Sequence, residues 1–221
     1  MSAQDLESLL VQREYCFLAY IEAPLRPPRN PLSLASQGGR LDIISRLILA
    51  TLYTNGVIAP ETLLLVYIND KITKRSELVV LGDYCMPKSM LTEIEASKRL
   101  ISVLYGEEAC LTLEDVSLNY IVKRLRRVGF KPLVLIEDGE PIDIAHLTGK
   151  TLYILGTNVD PPQLQSVEKV CIASRSLIAS NVVTLIKLLR ILATIEPSIV
   201  MRVKSGLARR RAMSGARQLT S

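Results

Sequence analysis

The last third of the chain decides the fold. It reads PLVLI (132–136) followed by EDGEP, TLYIL (151–155) followed by GTNVDPP, and VCIA (170–173) followed by a long apolar stretch over 176–195. The three short runs are apolar throughout, with no polar residue at every second position. Strands of that kind are buried on both faces and belong to a parallel sheet covered by helices. The class is therefore α/β. Such sheets bind ligands beyond the carboxyl ends of their strands. That directs attention to the loops at 137–141, 156–162 and 174–180.

The same grammar runs back towards the amino end. YCFLAYIEA (15–23) is a strand stopped by Pro24. Residues 24–37 hold Pro24, Pro27, Pro28 and Pro31 with Arg26 and Arg29, and form a long loop closed by Gly38-Gly39. Apolar residues at helical spacing predict helices over 41–53, 90–105 and 113–128. Residues 63–68 and 78–81 predict two strands joined by a turn. After Glu196-Pro197 the pattern fades, so 1–200 reads as one domain and 201–221 as a tail, flexible from 205. In the 176–195 helix, Asn181, Thr184, Lys187, Arg190 and Thr194 form a stripe at steps of three and four. A membrane span would not carry that stripe, whereas a helix on a core with one narrow wet edge would.

Composition sets further bounds. The 221 residues are 48% apolar and 22% charged, with a formal charge of +5. Six of the 27 basic residues lie in 202–221, which holds no acid; taking them away leaves 21 bases against 22 acids. The basic character is that of the tail, and the body is nearly neutral. The amino terminus, MSAQDLESLL, is acidic and amphipathic and reads as no secretory signal. The four cysteines, at 16, 85, 110 and 171, are far apart, no CxxC pair exists, and His146 is the single histidine. This predicts no metal site, no disulfide framework and a reduced, cytoplasmic setting.

Common cofactor signatures are missing: no GxGxxG, no GxxxxGK[ST], no GxSxG. Gly38-Gly39 lacks the lysine and serine of a phosphate loop. His146 fits a loop or capping role, and Cys171 sits in a buried strand as a small hydrophobe. Gly39-Arg40-Leu41-Asp42 opens a helix, where the dipole favours Asp42 and not Arg40. The pair is either a surface ion pair or a functional one. Lys123, Arg124, Arg126, Arg127 and Lys131 gather near a helix end, as partners of its carbonyls or as phosphate contacts.

Four strings carry a family resemblance: GGRLDIISRLILATLY (38–53), VKRLRRVGFKPLVLIEDGEPI (122–142), TLYILG (151–156) and VCIASRSLIASNVVTLIKLL (170–189). In this order and spacing the chain, over about 15–192, resembles the archaeal tRNA pseudouridine N1-methyltransferase family of the TrmY type, in the SPOUT superfamily. The resemblance implies a SPOUT-type parallel sheet with helices on both faces and a carboxyl-terminal deep trefoil knot at about 132–196. It implies a homodimer with the knot helix at the interface, and S-adenosyl-L-methionine bound among the three loops. The reaction implied is methylation of N1 of pseudouridine at position 54, in the TΨC loop of tRNA. Carried over residue by residue, the cofactor contacts fall on Leu133, Leu135, Gly156, Thr157, Cys171, Ile172, Ala173, Ser174, Arg175, Ser176, Leu177 and Val182. Arg40 and Asp42 take the catalytic positions. Arg26, Arg29, Arg124, Arg127 and Lys131 would meet RNA phosphates.

The chain departs from the family at Ile178-Ala179-Ser180-Asn181-Val182, which has neither the usual histidine nor the cysteine. It departs also at Ser174-Arg175-Ser176, where a proline is common, and at GTNVDPPQ (156–163). Two alternatives follow: the same chemistry on ribosomal RNA, or a non-catalytic RNA-binding protein on this scaffold.

Overall fold

The computed structural model describes the backbone of residues 3–173 and 177–218, and the side chains of 5–173 and 177–210. The elements in order are α1 (Ala3–Val11), β1 (Tyr15–Glu22), α2 (Asp42–Leu52), β2 (Tyr53–Thr54), β3 (Val57–Ile58), β4 (Thr62–Asp70), β5 (Arg75–Leu81), α3 (Glu93–Leu104) and β6 (Leu111–Glu114). There follow α4 (Leu118–Arg127), β7 (Lys131–Pro141), α5 (Ile144–Leu147), β8 (Thr151–Gly156), β9 (Glu168–Cys171), α6 (Ala179–Ile195) and α7 (Pro197–Gln218).

Seven strands form one sheet in the order β6-β5-β4-β1-β8-β7-β9. The five from β4 to β9 in that order run parallel, and β5 and β6 join antiparallel at one edge. The sheet is thus mostly parallel, not wholly so. The double burial read from the sequence is visible along β1. Phe17, Ala19 and Ile21 enter a core shared with α2, α3 and α6. Cys16, Leu18 and Tyr20 enter a second core with α1 and α4 on the other face. At about 25 cal/mol per Å² of apolar area, two such cores are the main stabilising term.

Several expectations are corrected. The predicted helix over 113–128 is a strand and then a helix. Leu111 and Leu113 alternate with Thr112 and pair with Val80 and Leu78; Asp115 takes a φ of +52°, and Ser117 then caps α4 by accepting from Tyr120 N–H at 3.2 Å. The strand beginning at Pro132 runs on through EDGEP to Pro141, because its register against β9 shifts: both Leu135 and Glu140 align with Val170. Gly139 permits this crossing, since a Cβ there would lie 2.5–2.7 Å from the Val170 backbone.

No disulfide was expected, yet Cys85, after β5, is bonded to Cys110, before β6; Cys16 and Cys171 are buried and take no part in that bond. Sequence spacing carries no information on that approach. The fading pattern after Pro197 does not end in an arm at 205. The backbone is helical to Gln218, started by proline in the first turn, where its missing N–H removes no bond. Val200 is buried, Val203 and Leu207 pack on the core, and Lys204 donates to Asp143 at 3.2 Å.

The stripe on α6 is a wet edge only in part: Asn181, Thr184 and Thr194 are exposed, but Lys187 and Arg190 turn inward. Lys187 reaches inward to the end of α2 and donates to the carbonyls of Ala50, Thr51 and Tyr53 and to Thr54 Oγ1 at 2.9–3.1 Å. Those carbonyls have no helical N–H to accept, so the ammonium caps the helix. Burial lowers its pKa from the ordinary lysine value. Arg190 lies over the Tyr15 ring at 4.3 Å and donates to Tyr153 Oη and the Gly149 carbonyl at 3.3 Å. Among the described residues, no helix is long and apolar enough to cross a membrane, and no group of His, Cys, Asp and Glu could hold a metal.

Candidate active site

From β7 the chain steps to β8 on one side and then to β9 on the other. A sheet of this kind opens a crevice where its strand order reverses. A cavity of about 590 Å³ lies there, beyond the carboxyl ends of β7, β8 and β9 and against the start of α6. Its apolar wall comes from Leu135, Leu155, Val170, Ile172, Ile178 and Val182. Its polar lining consists of Arg40, Arg46, Glu137, Thr157, Asn158 and Asp160.

Of the predicted cofactor residues, the structure brings Leu135, Gly156, Thr157, Ile172, Ala173, Leu177 and Val182 to this cavity. Leu133 is fully buried in the core and does not line it. The Cys171 side chain is buried and away from the wall, and its carbonyl accepts from Ile142 N–H at 2.9 Å. Ser174, Arg175 and Ser176 lie outside the described residues. Gly156 has a local cause: a Cβ there would meet the Val159 carbonyl oxygen at 2.4 Å. The loop after β8 folds back on that glycine, and Thr157 fixes it by donating both N–H and Oγ1–H to the Tyr20 carbonyl, at 3.1 and 2.9 Å.

The arginine part of the lining is built by an unusual turn. Gly39 has a φ of +62°, and a Cβ there would lie 2.8 Å from Ala23 Cα. Arg40 follows with a φ of +69°, a conformation that costs a non-glycine residue of order 1 kcal/mol. This turn folds Arg40 back over Asp42, the first residue of α2, with Nε–Oδ1 at 3.0 Å and Nη2–Oδ2 at 3.3 Å. Arg46, one helical turn on, donates to the same Oδ2 and lies 3.5 Å from Glu93. Burial by itself would raise the Asp42 pKa. The hydrogen bonds and charges of Arg40 and Arg46 outweigh it and hold the carboxyl below the ordinary aspartate value of 3.8. Arg40 and Arg46 face the cavity, and Asp42 stands behind them.

Asn158 joins the two halves. Its Nδ2 donates to the Glu22 and Gly39 carbonyls at 2.8 and 3.3 Å, and its Oδ1 accepts from Glu22 N–H at 3.2 Å. The end of β1, the arginine turn and the loop after β8 are thereby one unit.

The basic residues expected at RNA divide by position. Arg26 and Arg29 follow β1, at the cavity end of the sheet. Arg124, Arg127 and Lys131 lie around the start of β7, at the opposite end. Arg26 is paired with Glu77 at 3.0 Å; Arg29 is paired with Glu107 at 2.6 Å and lies over Tyr105. Arg124 is paired with Glu7 at 3.1 Å and Lys131 with Glu168 at 2.9 Å, while Arg127 is exposed. His146 is a buried cap: Nδ1 accepts from Asp143 N–H at 3.1 Å, leaving the proton on Nε2, which donates to Glu168 at 2.7 Å. The sequence-based list missed Arg46, Asn158, Glu137 and Asp160. Arg46 carries a signal in its i,i+4 spacing from Asp42, and Glu137, Asn158 and Asp160 lie in the segments 137–141 and 156–162, to which the strand pattern directs ligand binding.

No protein-family model matches the chain, and no curated protein matches it. Among solved structures it is similar to the crystal structure of Archaeoglobus fulgidus Nep1 bound to S-adenosylhomocysteine. The identity is 16%, over 90% of this chain and 99% of that one, with a TM-score of 0.47.

Proposed function

We propose that the protein is an S-adenosyl-L-methionine-dependent RNA methyltransferase of the SPOUT type, acting on N1 of pseudouridine in tRNA, at position 54. The observation that carries this reading is a meeting of distant residues. The Arg40–Asp42 turn and the three loops of the last third, over a hundred residues apart, form one cavity. Residues of three strings that resemble the family, 38–53, 151–156 and 170–189, line that cavity together with Leu135 to Glu137 of a fourth.

The residues present fit the cofactor. The cavity has the size usual for a small-molecule site. Leu135, Leu155, Ile172 and Val182 offer an apolar slot for a purine ring, and the exposed carboxylates of Glu137 and Asp160 can accept from ribose hydroxyls or an ammonium group. When bound, the cofactor supplies an electrophilic methyl group. N1 of pseudouridine carries an imide proton and is a poor nucleophile until that proton is shared or lost. Arg40 holds the nucleotide through its phosphate or a base carbonyl. Asp42, kept ionised by two guanidinia, is a weak base, so it fixes Arg40; Arg40, donating to a base carbonyl, makes the neighbouring N1 proton more acidic, and that proton passes to water as the methyl group is transferred. Rate enhancement then comes chiefly from placement. The target base has to leave its stack to enter.

The same proposal includes the knot over about 132–196 and a homodimer. The outward face of α6 supports the dimer: Leu188, Ile191 and Ile195 are 50%, 54% and 74% exposed along one side. Cytoplasmic placement belongs to it as well, on the family resemblance and not on cysteine usage, since Cys85 and Cys110 are bonded.

Calorimetric titration with S-adenosylmethionine should show binding; none up to about 1 mM, a free energy of about −4 kcal/mol, would sink the enzyme reading. Mass spectrometry of tRNA nucleosides from a deletion strain should show the methylpseudouridine of the TΨC loop lost. Its persistence would remove the tRNA assignment.

A further inference from the structure

Arg46 appears in none of the roles assigned above, yet its place is unusual. It shares the carboxylate of Asp42 with Arg40 and lines the same cavity. Its Nε is buried without a hydrogen-bond partner, 3.5 Å from a Glu93 oxygen. Asp42 is consumed by this arrangement: Oδ1 accepts from Arg40, and Oδ2 from Arg40 and Arg46. Each guanidinium has five N–H donors in a fixed fork, so donors remain on both arginines. One carboxylate aligns two cations that would otherwise repel each other. The cavity lining therefore includes an anion-accepting group made of two guanidinia.

We propose that Arg46 and Arg40 form a two-guanidinium subsite that grips an RNA phosphodiester next to the target nucleotide, with Asp42 as the positioning residue that sets both forks. This rests on the methyltransferase reading for the identity of the anion, because the cofactor there occupies the apolar and acidic part of the cavity. A phosphodiester presents two non-bridging oxygens, which match paired guanidinium forks.

The test uses a fluorescein-labelled RNA hairpin with pseudouridine in its loop, titrated by anisotropy between about 50 and 200 mM KCl. S-adenosylhomocysteine is titrated in parallel by calorimetry. Arg46→Gln should weaken the hairpin about tenfold and reduce the slope of log K against log salt by about one, the signature of one lost phosphate contact. Its affinity for S-adenosylhomocysteine should stay within about twofold of the wild type, about 0.4 kcal/mol at about 1.4 kcal/mol per decade. Arg46→Lys, which keeps the charge and the fold but loses the fork, should keep the slope and bind severalfold more weakly. Unchanged hairpin affinity and slope in either variant overturns the proposal. So does a loss of S-adenosylhomocysteine binding with the hairpin unaffected, which would give Arg46 to the cofactor carboxylate. If the wild type binds no S-adenosylhomocysteine while the Arg46 dependence of hairpin binding holds, the subsite stands and the methyltransferase reading falls.

Discussion

Helices α4 and α6 cover opposite faces of the same sheet and wear their side chains in opposite senses. Helix α4 buries Leu118, Ile121, Val122 and Leu125 and turns Lys123, Arg126 and Arg127 to solvent. That is the pattern of a finished surface helix. Helix α6 also buries an apolar row, Val183, Ile186 and Leu189, but turns Lys187 and Arg190 inward to carbonyls and rings. Its outward side carries Leu188, Ile191 and Ile195. Cations spent inside and apolar groups left outside are what the proposed homodimer requires of its interface.

This contrast can be broken most sharply by charge. Leu188→Glu with Ile191→Glu should convert the dimer to monomer in sedimentation velocity, with at least a hundredfold loss of dimer affinity, about 3 kcal/mol. Lys123→Glu with Arg127→Glu on α4 should leave the mass unchanged. The converse outcome would mean that the covered face is α4.

The next effect is on stability. Lys187→Met strands three carbonyls and one hydroxyl at the end of α2 and should cost about 3 kcal/mol in denaturant unfolding. Lys123→Met on α4 should stay within about 0.5 kcal/mol. Equal effects would show that the inward lysine is dispensable.

The smallest expected effect concerns the arginine turn. The folded pKa of Asp42 is depressed, so its contribution is present above the ordinary value of 3.8 and is lost as pH falls through the folded value. Asp42→Asn should lower stability near neutrality by about 1 kcal/mol and flatten the acid limb of the stability profile. A parallel acid limb in variant and wild type would show that the pair is not electrostatically coupled to folding.

How far the sequence could be read follows from what each signal contains. Unalternated apolar runs report burial on two faces, so the strands at Phe17, Leu133 and Tyr153 were legible, and so was the cavity end of the sheet. Helical spacing reports which residues share a face but not which face turns inward. Lys187 therefore looked like a wet edge when it is a buried cap. Leu111–Glu114 is too short for its alternation to stand out from the helix beside it. Cys85 and Cys110 come together only through packing around α3, which no spacing encodes. Gly156 lines the cavity, and the Val159 carbonyl beside it already leaves no room for a Cβ. Asn158 acts by reaching across to other segments, and nothing local announces that, whereas the Arg46–Asp42 pair is legible as an i,i+4 spacing.

Asn158 bears on how such proteins could be altered. One amide spans the end of β1, the arginine turn and the loop after β8, across 136 and 119 residues of sequence. The two ends of the cavity are consequently not interchangeable parts. A substrate-end turn transplanted from another protein would arrive without its joint, and a redesigned loop after β8 would release the turn it holds. Specificity here has to change in concert, on both sides of that single side chain.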